Sequence, residues 1–145
     1  LFLIRELAIF ENEPKAVIVT QAQIEKDGFG ARPLFECFVA EVDDQVVGMA
    51  LYYPRYSTWK GPTFHLEDLI VTEPMRGKGI GTKLYNAFLE HAYNKGVKRV
   101  EWAVLDWNLP AIEFYQKSGA TILDDWRSVQ MDKKSIDSYI LKINS

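Results

Sequence analysis

The chain has 145 residues, 48% of them hydrophobic, with one cysteine and a formal net charge of −3. That length and apolar content suit one domain, residues 1–145, with a real core, and no apolar run is long enough to cross a bilayer. The mildly acidic balance argues against nucleic acid as the main partner, and a lone cysteine excludes an internal disulfide framework and fits a reducing, cytoplasmic setting.

Residues 1–10 carry apolar side chains at helical spacing, with Arg5 and Glu6 on the other face, and Pro14 lies beyond the end. With Arg5 and Glu6 so soon after Leu1-Phe2-Leu3-Ile4, this apolar start is not expected to be a signal peptide. The chain starts without Met inside this pattern, so residues upstream of Leu1 are expected. Thr20 and Gln23 fit a capping box that opens a short helix to Asp27, stopped by Gly28-Phe29-Gly30. Strands are predicted over 35–42 and 46–56 around Asp43-Asp44-Gln45, a hairpin. Cys37 then reads as a buried core thiol.

A turn at Trp59-Lys60-Gly61-Pro62 leads to a strand over 63–72. The longest helix runs from Ile80 to Lys95, with Ile80, Leu84, Phe88 and Ala92 in one stripe and Gly96 as its cap. Residues 99–105 read as a strand. Pro110 suits the first turn of a helix to Lys117, closed by Gly119. A strand over 121–131 and a helix over 135–143 complete the chain. Their apolar positions (Ile122, Val129, Ile136, Ile140, Ile143) fit either a core or an interface. Interleaved strands and helices with an early hairpin imply a mixed sheet flanked by helices.

The most informative stretch is Arg76-Gly77-Lys78-Gly79-Ile80-Gly81, where strand gives way to helix. A glycine-rich turn opening a helix points backbone N–H groups at one spot, and the helix dipole favours negative charge there. Arg76 and Lys78 add cationic character, so the turn predicts a phosphate or pyrophosphate site. It lacks the P-loop Lys and the dinucleotide-binding spacing, and no Gly-x-Ser-x-Gly elbow exists. His65 and His91 have no partner at metal-ligand spacing, so no metal is expected.

Glu67 and Asp68 sit mid-strand, where acidic residues are poor formers. Strand alternation predicts that they point to opposite faces. A partly solvated strand would explain the pair, but it runs directly into the anion turn, which favours a functional carboxylate. His65, two residues from Glu67, should share its face. Alone, Asn108 reads as a helix cap, Tyr115 as a core residue, and Trp102, Trp107 and Trp126 as packing.

Taken together, these residues resemble the GNAT superfamily of acyl-CoA-dependent N-acetyltransferases. The family pattern Arg/Gln-x-x-Gly-x-Gly/Ala stands here at Arg76 to Gly81. The segments His65-Leu66-Glu67-Asp68-Leu69-Ile70-Val71, Tyr56-Ser57-Thr58-Trp59-Lys60-Gly61, Lys26-Asp27-Gly28-Phe29-Gly30 and Ala103-Val104-Leu105-Asp106-Trp107-Asn108 look like the spermidine/spermine (diamine) N-acetyltransferase branch. The second and fourth look most similar to its thialysine-acetylating type. The resemblance implies an α/β GNAT fold with a mixed, mostly antiparallel sheet, lacking here the N-terminal strand of that branch.

It also implies acetyl-CoA as cosubstrate and transfer to a primary amine of a small polyamine, diamine or lysine-like acceptor. Carried over by position, Glu67 takes the proton of the amine through water and Tyr115 is the general acid for the departing thiolate. The cofactor would lie against backbone of Leu69, Ile70 and Val71, with the Leu69 N–H at the oxyanion. It would also meet Arg76, Gly77, Lys78, Gly79, Ile80, Gly81 and Thr82, and further on Asn108, Leu109, Pro110, Ala111 and Lys117. Acceptor contacts fall at Glu11, Trp59, Glu67, Asp68, Glu101, Trp102, Ala103 and an acid before Trp126, Asp124 or Asp125.

Ser57 replaces an acidic residue of the polyamine-specific type, and Asp124-Asp125-Trp126 is shorter than that region in the family. Both departures favour a smaller amine or a lysine-like amino acid. The resemblance implies a homodimer, a small-molecule amine as partner, and neither nucleic acid nor membrane. Transfer to a protein or peptide amine, and acyl-CoA binding without catalysis, are the alternatives.

Overall fold

The computed structural model describes residues 1–145. The chain divides into two compact units, Leu1–Leu105 and Asp106–Ser145.

The first unit holds helix α1 (Phe2–Phe10), helix α2 (Gln21–Phe29), strands β1 (Glu36–Val42), β2 (Gln45–Ser57) and β3 (Gly61–Val71), helix α3 (Ile80–Lys95) and the short strand β4 (Val100–Glu101). The sheet order is β1-β2-β3-β4, antiparallel except for the parallel β3–β4 pair. This is the mixed, mostly antiparallel sheet expected. Thr20 caps α2 by accepting from the Gln23 N–H at 3.2 Å. The reciprocal half of the capping box does not form, because the Gln23 amide turns forward to Asp27 at 2.7 Å. α2 runs two residues past Asp27, to Phe29, and stops at Gly30, the last residue of the expected Gly28-Phe29-Gly30 stop. Asp43 and Asp44 both adopt positive φ, the geometry whose twist matches a tight hairpin.

α3 covers one face of the sheet. Leu84, Phe88 and Ala92 pack with Ala50, Tyr52, Phe64, Leu66 and Val71, and Phe88 is completely buried. A side chain at Gly48 would come within 3.0 Å of the Ile70 carbonyl and Leu84 Cδ1, so a bare backbone there lets α3 approach closely. α1 covers the other face, with Leu3 packed on Met49 and Ile70.

Cys37 is not a core thiol. Phe38 and Ala40 face the α3 core from β1, so alternation sends Cys37 to the other face, where the residue is exposed. Its thiol is still pushed up to about 11, first by the protein packed around it and then by the charge of Asp68.

The expected strand over 99–105 is reduced to Val100–Glu101, which pairs only with Phe64 and His65. Beyond His65, the β4-side edge of β3 has no strand partner.

The second unit holds α4 (Leu109–Lys117) and α5 (Lys133–Ile143). The strand expected over 121–131 does not form. A strand needs a neighbouring edge for its backbone hydrogen bonds, and no strand of the sheet pairs with this segment. Leu123, Trp126, Val129 and Met131 are all exposed along it. On α5, Ile136, Tyr139, Ile140 and Ile143 recur at helical spacing and are also exposed.

Candidate active site

The glycine-rich turn has the geometry its composition predicts. Gly77 and Gly79 sit at φ of 77° and 79°, left-handed backbone that costs other residues about 1–2 kcal/mol. A Cβ at either would face open space, so a ligand can approach the main chain directly. The α3 ladder begins with the Lys83 N–H donating to Gly79. The N–H groups of residues 79–82 therefore lack an intrahelical acceptor, with no side-chain cap and no acidic residue in the first turn. The end of a 16-residue helix thus presents donors and a positive dipole end to an anion.

The two cations of the turn have local duties. Arg76 donates from Nε to the Val71 carbonyl at 2.8 Å, pairs with Glu6 at 3.5 Å and lies over the Phe10 ring. Glu6 also accepts from Thr72 Oγ1 and the Glu73 N–H, each at 2.9 Å. Arg76 and Glu6 together clamp the turn to β3 and α1. Lys78 reaches back to the Met75 sulfur at 3.7 Å.

β3 enters this turn through a bulge. Leu51 pairs with Asp68 and Tyr52 with Leu66, so Glu67 has no opposite residue. This overturns the expectation of opposed carboxylates. Leu66 and Leu69, three apart, both join the α3 core, which unbroken alternation forbids. The extra residue leaves Glu67 and Asp68 both off that face. The side chains of Leu69, Ile70 and Val71 are taken up by core packing, so backbone is what this stretch offers along its unpaired edge.

Glu67 is held by its neighbours. Tyr53 donates to Glu67 Oε2 at 3.0 Å, and His65 Nε2 lies 3.5 Å from the same oxygen. His65 does share the Glu67 face, as alternation predicts. Burial first, and the Glu67 charge second, raise the Tyr53 phenol, which keeps it a donor. Asp68 is pushed up to about 6, mainly by burial, then by the charges of Glu67 and Glu11. Glu11, after α1, is raised by burial and by Glu67. Glu11, Glu67 and Asp68 therefore form one negative cluster, and neither Glu11 nor Asp68 has a cationic side chain paired to it. Such a cluster stabilises an ammonium placed against it.

Glu101 differs, since Arg55 at 2.6 Å and Arg99 at 3.2 Å both pair with it. Trp102 packs edge-on against Tyr85, and Ala103 is exposed just beyond β4. In the β2–β3 turn the Ser57 hydroxyl accepts from the N–H groups of Trp59 and Lys60 at 3.2 and 3.1 Å. Ser57 thus shapes the turn that leaves the Trp59 indole 83% exposed.

In the second unit, Asn108 caps α4 by accepting from the Ala111 N–H at 3.4 Å, with Pro110 in the first turn beside Leu109. Tyr115 is half-buried on α4, its ring against Phe114. Lys117 pairs with Glu113 at 2.8 Å, and Asp124 and Asp125 form an exposed turn.

Tyr53 and Arg55 are the site residues that sequence reasoning passed over. The signal was available: Tyr53, Arg55 and Ser57 alternate on one strand, and the short turn after them sets Tyr53 opposite His65.

The turn's free N–H groups and the unpaired β3 edge suit an elongated ligand with a pyrophosphate within its length, as coenzyme A has.

Residues 4–120 match the profile described as the acetyltransferase (GNAT) family. The chain is 40% identical over 145 residues to a thialysine N-epsilon-acetyltransferase of Mus musculus, covering 92% of this chain and 85% of the relative. It is 35% identical over 144 residues to the spermidine/spermine N(1)-acetyltransferase-like protein 1 of Homo sapiens, covering 92% of this chain and 21% of that longer protein. Among solved structures, an integron cassette protein from the mobile metagenome of V. cholerae superposes with a TM-score of 0.76 at 23% identity. That match covers 93% of this chain and 85% of the other, and shows a shared fold.

Proposed function

Because the chain belongs to the GNAT acetyltransferase family, we propose that it moves the acetyl group of acetyl-CoA to a primary amine of a small polyamine, diamine or thialysine-like acceptor. The relatives named for thialysine and spermidine/spermine acetylation support that acceptor class. The observation that carries the reading is the bulged β3 strand, which puts a hydrogen-bonded carboxylate just ahead of a helix start able to hold a pyrophosphate.

An alkyl ammonium with a pKa near 10 is no nucleophile at neutral pH, so it must lose a proton before attack. Glu67 receives that proton through water. Tyr53 occupies Oε2, which leaves Oε1 to accept. The negative cluster of Glu11, Glu67 and Asp68 draws the ammonium in. The backbone N–H groups of residues 79–82 hold the pyrophosphate, and main-chain groups of Leu69, Ile70 and Val71 line the arm that leads from it. When bound, acetyl-CoA supplies the acyl group as a thioester and leaves as the thiol, while an amide forms on the acceptor. A fixed donor such as the Leu69 N–H stabilises charge on the acyl oxygen by roughly 3 kcal/mol. Tyr115 gives its proton to the departing thiolate.

The test is thiol release from acetyl-CoA against spermidine, putrescine, thialysine, lysine and a lysine-containing peptide. Tyr115→Phe should lower kcat strongly while coenzyme A still binds, and Glu67→Gln should shift the pH–rate profile. Unaltered turnover and profile remove both residues from these roles, and a peptide as the best acceptor removes the small-amine reading. The exposed apolar stripe of α5 supports association with a second copy of the chain, which light scattering measures.

A further inference from the structure

One cation stands beside the acidic cluster. Arg55 Nη1 lies 3.5 Å from His65 Nδ1, and His65 Nε2 lies 3.5 Å from Glu67 Oε2. A guanidinium only donates, so Nδ1 is the acceptor and the neutral ring carries its proton on Nε2, toward Glu67. Laid end to end, the two 3.5 Å contacts and the ring put the guanidinium at most on the order of 9 Å from the Glu67 carboxylate. Arg55 spends Nη1 on Glu101 and His65, which leaves Nε and Nη2 without a partner, and its side chain is 56% exposed. Two arginines, Arg55 and Arg99, share the single carboxylate of Glu101, so this corner keeps one formal positive charge in excess.

The site therefore has two poles, a negative one at Glu11, Glu67 and Asp68 and a positive one at Arg55. A plain diamine fits the first and is repelled at the second. A lysine-like amino acid fits both, because an extended chain of that kind holds its side-chain amine on the order of 7 Å from its carboxylate, with bond lengths near 1.5 Å. We propose that Arg55 is the specificity-determining residue that binds the carboxylate of an amino-acid acceptor whose side-chain amine lies at Glu67. This rests on the acetyltransferase reading above.

The experiment compares thiol release with thialysine and with the diamine left when its carboxyl group is removed. The wild-type protein should favour thialysine in kcat/KM. Arg55→Gln should raise the KM for thialysine about tenfold, the scale of one charged hydrogen bond, with less change in kcat, and so collapse the discrimination. Arg55→Lys should restore part of it. A wild-type enzyme that favours the diamine overturns the proposal without any variant, as does an Arg55→Gln protein with discrimination intact. Absence of thiol release with every amine tested refutes the acetyltransferase reading itself.

Discussion

Asp68→Asn should stabilise the protein at neutral pH and leave it nearly unaltered in acid. The Asp68 carboxyl is pushed from 3.8 to about 6, mainly by burial and then by the charges of Glu67 and Glu11. In this range the folded state binds a proton that the unfolded chain releases. The stability this group contributes is thus fully present below pH 3.8 and is lost as pH rises through about 6. At about 1.4 kcal/mol per tenfold in proton affinity, a rise of that size corresponds to roughly 2–3 kcal/mol. Asp68 is half-buried, so solvent takes part of this and about 2 kcal/mol is expected. Asparagine mimics the neutral carboxyl at every pH. Urea unfolding of both proteins at intervals from pH 4 to pH 7.5 measures the difference. The curves should nearly meet at pH 4 and separate by about 2 kcal/mol at pH 7.5, or roughly 4–8 °C in Tm. Parallel curves across the whole range would refute the assignment of that pH dependence to Asp68.

Two other substitutions test the scaffold and the anion site. Phe88→Ala empties a fully buried position where α3 meets the sheet; denaturant unfolding should show a loss of about 3–5 kcal/mol, and a loss under 1 kcal/mol would mean that the core repacks there. Gly79→Ala meets no steric obstacle but keeps a φ of 79°, so it should cost about 1–2 kcal/mol and raise the KM for acetyl-CoA more than it lowers kcat. A KM equal to that of the wild type would remove the turn from cofactor binding.

Much of the scaffold can be read along the chain. α3 spans the predicted Ile80–Lys95 because Gly79 and Gly96 bracket a clean stripe of 3.6-residue period. The hairpin and α4 follow from turn residues and from Asn108 with Pro110. These features depend on residues within a few positions of one another. The faces of Cys37, Glu67 and Asp68 do not. Each is set by register against β2, and the bulge at Glu67 shifts that register by one residue. The segment 121–131 has strand-like residues, but strand formation requires a partner edge, which no local pattern specifies.

The candidate site divides in the same way. The glycine-rich turn, with its positive φ values and free N–H groups, is dictated by local composition, so sequence alone identifies a site for an anion and, with the surrounding motifs, the family. The electrostatics around Glu67 arise only in three dimensions. Glu11 joins Glu67 and Asp68 from a different element, and Arg55 meets His65 and Glu101 across neighbouring strands. Charge and hydrogen bonding act through distance in space rather than along the chain. Local sequence therefore determined a helix start suited to an anion, while tertiary packing alone decided which charges gather around Glu67.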